Sequence, residues 1–323
     1  MTDAPLTLAP GRRRLVIALL SFSFVCNVAV LFLPFMKLRV GLSTTDYTLM
    51  RSVRMMWDSG LWVLAALVFG FSLLFPFAKL AVLAAVAAAP RIGPAHQAWL
   101  ANVERGGKWS MLDVFLVCLV LTLSSGQILV GAEPRMGTPI FVAAILLSLT
   151  AGELMSVQIG RHPQVPQGRP SAGTAAWLVL AGLALGAAVC LPFLRINDWL
   201  LANRSYSIVT LGATLLREGG WLPALLAWVF LVVTPLLHWV ATLRWWLAAR
   251  GGVDSSPAWR RRKAYARWSM LDVFGLALAI FLVEGDYLMK TEVRWGALLL
   301  VAALVLKECF DWALDRAAAR ADS

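Results

Sequence analysis

The segment Trp109-Ser110-Met111-Leu112-Asp113-Val114-Phe115 recurs unchanged at Trp268-Ser269-Met270-Leu271-Asp272-Val273-Phe274, 159 residues later. Each copy follows a base, Lys108 or Arg267, and opens a long apolar run. A heptapeptide identity that carries both a tryptophan and an acid marks an internal duplication. Any fold for this chain must therefore use one unit twice. The register extends further: Tyr47 matches Tyr206, Gly60 matches Gly219, Trp62 matches Trp221, Pro76 matches Pro235, and Glu133 and Arg135 match Glu292 and Arg294. Leu33-Pro34-Phe35 matches Leu191-Pro192-Phe193 one residue out of step, so a single indel separates the halves.

The unit is made of apolar runs near 20 residues, the length that crosses a bilayer as a helix. Composition agrees. The chain is 60% hydrophobic and only 15% charged, where a soluble chain carries about 25% charged residues. Spans are expected at about 15–34, 61–89, 109–130, 138–159, 175–194, 221–249, 268–287 and 295–311. The expected fold class is an all-α polytopic membrane protein of eight transmembrane helices, arranged as two tandem parallel four-helix modules. The boundaries read as a tail at 1–12, a first module at 13–160, a Pro/Gly-rich linker at 161–174, a second module at 175–313 and a tail at 314–323. An even number of spans per repeat inserts both halves the same way up. The segment 37–59 is mixed polar and fits short strands or an amphipathic helix.

Lys and Arg are commoner on the side holding both termini, the 90–108 and 250–267 loops and the linker, which places N- and C-terminus in the cytoplasm. The net charge of +11 lies beside apolar spans. It fits topology and anionic lipid heads, and no nucleic acid is expected. The first run follows Arg12-Arg13-Arg14, lacks a cleavage site and reads as a span. Cys26, Cys118, Cys190 and Cys309 all sit in apolar runs without a CxxC pair, so neither metal nor cofactor is expected.

The chemistry must come from polar groups inside spans. Lys79 stands three residues after Pro76, and His238 three residues after Pro235. A proline within a helix frees a carbonyl and kinks it, and an ionisable group at that depth faces protein or a wet cavity. The expected partners are the heptapeptide acids, as Lys79–Asp113 and His238–Asp272. Snorkelling of Lys79 to the interface is the plainer alternative. Ser110 and Ser269 stand three residues before those acids, the spacing of a helix cap, and Trp109 and Trp268 fit interfacial anchors. Glu153, Glu284 and Asp286 complete the candidates for an intramembrane polar path. Of these two expected pairs, only that of the second module contains, at His238, a side chain whose ordinary titration lies near neutral pH. No catalytic set assembles from the scattered histidines His96, His162 and His238, so no enzyme activity is expected.

A base followed by W-S-M-L-D-V-F at the head of a membrane span, present twice and each time preceded by a proline-bearing span, resembles the paraquat-inducible protein A (PqiA/LetA-like) family. The resemblance covers about residues 12 to 312. It implies a protein of the bacterial cell inner membrane built of tandem, tetraspanin-like four-helix modules. It also implies a periplasmic MCE-domain partner, phospholipid as cargo, and a part in intermembrane lipid transport and envelope integrity. Many members carry a zinc ribbon with CxxC pairs ahead of each module; here 1–12 and 160–174 hold no cysteine. A cleft between the modules is the expected lipid path, with the periplasmic loops 37–59 and 196–220 docking the partner. A purely structural anchor for a periplasmic complex is the rival reading. A redox protein is disfavoured by the lack of paired cysteines.

Overall fold

The structure, a computed structural model, describes residues 9–40, 43–58, 60, 62–124, 130–158, 165, 172–196, 204–284 and 291–320. The chain divides into two units, Met1–Arg161 and His162–Ser323.

In unit one, α1 (Pro10–Phe32) starts on a proline, whose missing N–H costs nothing in a first turn. It ends where Leu33 turns extended ahead of Pro34, because proline disfavours helical geometry in the residue before it. Two strands follow, β1 (Met36–Val40) and β2 (Ser43–Tyr47), then the amphipathic α2 (Leu49–Asp58). The 37–59 segment thus forms both strands and helix. Gly60 turns the chain at a φ of 81°, and α3 (Trp62–Val68) runs through a π-helical turn (Phe69–Leu74) into α4 (Phe75–Ala88). α5 (Pro94–Gly107) passes through a 3-10 turn (Lys108–Met111) into α6 (Leu112–Ser124). β3 (Val130–Pro134) and α7 (Gly137–Gln158) close the unit.

Unit two repeats this order. It consists of α8 (Ala172–Cys190), β4 (Leu194–Ile196), β5 (Arg204–Tyr206), α9 (Ile208–Arg217), α10 (Trp221–Trp228), a π turn (Val229–Val233), α11 (Thr234–Arg250), α12 (Ser256–Trp268), α13 (Leu271–Glu284), β6 (Thr291–Val293) and α14 (Trp295–Arg320). At the head of α12 the Asp254 carboxylate accepts from the Ser256 N–H at 2.9 Å, which holds its pKa below the ordinary value.

Among the described residues, six helical stretches are long and apolar enough to cross a membrane: Pro10–Phe32, Ala65–Ala88, Gly137–Ser156, Gly173–Cys190, Trp221–Arg250 and Ser256–Leu282. By length and composition they read as the spans of a multi-pass, predominantly helical membrane protein. The all-α expectation is modified by two small antiparallel sheets, ordered β2-β1-β3 and β5-β4-β6. Register places Lys37 of β1 between Asp46 of β2 and Glu133 of β3. Arg195 of β4 takes the same place opposite Glu292. Opposite charges across strands favour this pairing.

The sheets tie to the helices by the same contacts in both units. The N–H of Arg135 donates to the carbonyl of Phe35 at 3.1 Å, and that of Arg294 to Phe193 at 3.1 Å. Gly137 donates to Pro34 at 2.9 Å and Gly296 to Pro192 at 3.0 Å. A Cβ on Gly137 would stand 2.6 Å from the Pro34 oxygen, and one on Gly296 2.5 Å from the Pro192 oxygen, so only glycine allows this approach.

Candidate functional site

Pro76 and Pro235 cannot donate to the turn before them, and each lies just after a π turn. The helix there widens to i→i−5 bonding: Phe75 N–H reaches Gly70, and Thr234 N–H reaches Val229. The expected proline kinks therefore take the form of π turns, a feature the sequence reading missed. Against each turn packs the heptapeptide. Trp109 lies beside Phe71, with ring centroids 6.3 Å apart, and Trp268 stacks on Phe230 at 6.0 Å and 12°. In unit two the Met270 N–H also donates to the Phe230 carbonyl at 3.3 Å, and the Thr234 hydroxyl donates to Trp268 at 3.0 Å. The heptapeptide tryptophans are half-buried partners of the π turn rather than simple anchors.

The expected serine caps require correction. Ser110 and Ser269 are buried, and neither hydroxyl has a hydrogen-bond partner among the described residues. In unit one the chain stays helical through Ser110, in the 3-10 turn. In unit two Met270 stands immediately ahead of α13, which puts Ser269 one residue too early to cap. Asp272 lies in the first turn of α13, its Oδ1 accepting from the Val273 N–H at 3.0 Å.

Lys79 is buried on α4 and donates from Nζ to Ser148 Oγ of α7 at 3.0 Å; Ser148 passes a hydrogen bond to the Ile145 carbonyl at 2.8 Å. Snorkelling is not its arrangement. Its expected partner, the Asp113 side chain, lies outside the described residues. Leu83, Leu100, Val103, Ala151 and Met155 of unit one belong to one apolar core cluster. α1 joins α7 through Ser23 Oγ, which donates to the Ala144 carbonyl at 2.7 Å.

His238, at the Lys79 position, sits in a different setting. The acid facing it is Asp311 of α14, with His238 Nε2 3.9 Å from Asp311 Oδ2, where sequence spacing pointed to Asp272. The reason is topological: α14 carries its own basic and acidic residues one turn apart, Lys307 and Asp311. Lys307 Nζ lies 3.7 Å from Asp311 Oδ2 and 2.7 Å from Glu308 Oε1. The same Asp311 forms an ion pair with Arg262 of α12, whose side chain is only 1% exposed. The Arg262 guanidinium lies 4.4 Å from the Trp259 ring centroid, and Trp259 packs on Trp245 at 5.2 Å. One carboxylate thus serves Arg262, Lys307 and His238. Removing either member of a buried ion pair leaves the other charge in low dielectric, at a cost of ~3–5 kcal/mol.

Beside this cluster is a cavity of about 40 Å³ inside unit two, lined by His238, Thr242, Ser269, Lys307 and Asp311 with Leu185 and Ala303 among its apolar walls. The buried polar atoms His238 Nε2 and Ser269 Oγ belong to that lining and have no hydrogen-bond partner among the described residues. The volume holds about two waters.

The sequence reading missed Arg262 and Ser148 as site residues, and it took Asp311, beside Lys307 and Glu308, as part of a locally neutralised helix end. A signal was present in the repeat register: Ser148 aligns with Lys307, and Gly152 with Asp311. Of the remaining candidates, Glu153 is half-buried on α7, the Glu284 side chain lies outside the described residues, and so does all of Asp286.

A family model described as Paraquat-inducible protein A matches this chain twice, over residues 14–158 and 172–319. No curated protein and no solved structure matches it.

Proposed function

Because the chain belongs to the paraquat-inducible protein A family, we propose that it is the inner-membrane component of an MCE-type lipid-trafficking system. In this reading it is a membrane protein of the Pqi system that passes phospholipid between the inner membrane and a periplasmic MCE-domain partner. It acts in intermembrane transport and envelope integrity, and not as an enzyme. Eight spans carry it, the six apolar stretches together with α6 and α14, four in each module, and both termini face the cytoplasm. The two three-stranded sheets then lie on the periplasmic side, where the partner docks.

The observation that carries this reading is the charged cluster of unit two, set among helices of membrane length. Ionisable groups at that depth are costly and are retained for a task. A phosphodiester is an anion, as Asp311 is. A headgroup that enters unit two competes with Asp311 for Arg262 and Lys307, while the acyl chains stay against apolar walls. A cavity of about 40 Å³ is too small for a headgroup. Entry therefore requires the Asp311 ion pairs to open, which makes the cluster a gate.

The test is photocrosslinking in membranes with the MCE-domain partner coexpressed, with the probe placed at Ala181 or Ala303 of the cavity wall. Capture of phospholipid is expected. Capture of none, with the complex still assembled, would favour the alternative, a membrane anchor without transport activity of its own. That alternative draws support from the sheets, which repeat in both units while the polar clusters do not. If Asp311→Asn leaves lipid traffic intact, the gate fails and the anchor gains.

A further inference from the structure

Between α1 and α4 of unit one lies a groove enclosing about 630 Å³ and open along its side. Arg13 stands at one end, donating from Nη2 to the Ala88 carbonyl at 3.1 Å and otherwise exposed. At the other end Phe24 and Phe77 form the floor, edge to face with centroids 6.0 Å apart. Between them the walls are lined by small residues, Ser21, Ala81 and Ala84. From Arg13 to Val25 α1 rises about 18 Å at 1.5 Å per residue, close to one leaflet of a hydrocarbon core about 30 Å thick.

The second copy of the unit has filled this groove. Gly182 stands in place of Phe24, Trp239 in place of Leu80, and Leu243 and Leu247 in place of Ala84 and Ala88. The Trp239 indole donates to the Leu178 carbonyl at 2.9 Å and lies so close to Gly182 that a Cβ there would stand 2.6 Å from the ring. The arginine run is gone as well: Pro170-Ser171-Ala172 replaces Arg12-Arg13-Arg14. One duplicated surface is thus plugged by Trp239, and the other is open with the Arg13 guanidinium at its mouth.

We propose that the α1–α4 groove of unit one seats a single anionic phospholipid, its phosphate at Arg13 and one acyl chain laid between the helices down to Phe24 and Phe77. Arginine suits a phosphate because its planar fork offers paired donors. The three neighbouring bases favour a lipid with net negative charge. The long apolar channel distinguishes a lipid from free phosphate. The site is separate from the charged cluster of unit two and does not require that lipid be transported.

The full chain, purified without a partner, is exchanged into nanodiscs containing phosphatidylglycerol and phosphatidylcholine in equal parts, then released for native mass spectrometry. One retained phosphatidylglycerol per chain is expected. Arg13→Gln should lower its occupancy about tenfold against phosphatidylcholine. Ala84→Leu with Ala88→Leu, which copies unit two, should remove the adduct, and the reverse pair Leu243→Ala with Leu247→Ala should leave it unchanged. Thermal unfolding of each variant shows whether it is folded. A photoreactive residue at Ala81 in the otherwise wild-type chain gives a second readout that depends on no filled groove. Equal retention of the two lipids, or an adduct that survives filling of the groove, overturns the proposal. Because no partner is present and no transfer is measured, either result leaves the transport reading where it was.

Discussion

At one register the two units carry opposite solutions. In unit one Lys79 bonds to Ser148, and the neighbouring positions Leu100, Val103 and Gly152 bring no charge. In unit two those five positions are His238, Lys307, Trp259, Arg262 and Asp311, which form a cluster around one carboxylate. The surrounding frame is the same in both: a π turn before a proline, a tryptophan packed on a phenylalanine, a glycine against a proline carbonyl, a three-stranded sheet. Duplication kept the geometry that holds the unit together. It changed the residues that set charge, and it opened a groove in one copy and closed it in the other. Divergence in charge and in side-chain bulk on a common frame is what a division of labour between two copies requires.

The largest test of this contrast is Asp311→Ala. It strands Arg262 beside Trp259 and should destabilise the purified protein by ~3–5 kcal/mol in thermal or denaturant unfolding. Arg262→Met combined with Asp311→Leu should recover most of that loss, since a buried pair replaced by apolar residues is often neutral. Failure of the double variant to recover would mean that the cluster is held by more than its ion pair. Next come Gly137→Ala and Gly296→Ala. Each drives a methyl into a proline carbonyl, and each should cost about 1–3 kcal/mol. The comparison predicts equal losses, and unequal ones would show that the two frames are not equivalent. Thr234→Val removes the hydroxyl bonded to Trp268 and should cost about 1 kcal/mol. Unit one has Phe75 there, so Phe75→Leu should leave the Trp109 contact in place, read from its fluorescence. The smallest change is expected for Lys79→Met, within about 1 kcal/mol, because an isosteric apolar chain replaces a cation held by a neutral hydroxyl. A loss of several kcal/mol would put an acid beside Lys79, as the sequence spacing with Asp113 suggests.

Much of the frame was legible because it is repeated. The heptapeptide, the paired prolines and the aligned Gly60 and Gly219 fixed the register, and those glycines take φ of 81° and 80° in the structure. The sheets were only half legible. The 37–59 segment shows strand character, but β1 pairs with β3 across some ninety residues, and the charges at Lys37, Asp46 and Glu133 are informative only once that pairing is known. Arg262 was hidden for a different reason. In Arg260-Arg261-Arg262-Lys263 composition points every base at solvent, whereas the helical spacing from Trp259 turns one of them inward. Asp311 was set aside because an acid near a helix end beside Lys307 and Glu308 looks locally neutralised. Its role depends on α12 lying against α11, with Arg262 carried to it, and no local pattern records that packing.

The π turns have one more consequence, best put as phase. A π turn carries one residue more than a regular turn, so the helical wheel is displaced by about 100° across it. The face that α3 presents is thereby rotated against the face of α4, and a single hydrophobic stripe drawn through both would be wrong by more than a quarter turn. The same displacement occurs ahead of Pro235, at Val229–Val233. An insertion at one register in both halves is inherited once: the extra residue was already in the helix when the chain doubled. Deleting Gly70 or Phe230 would remove it from one half and swing everything upstream, including Trp62 or Trp221, to a new bearing.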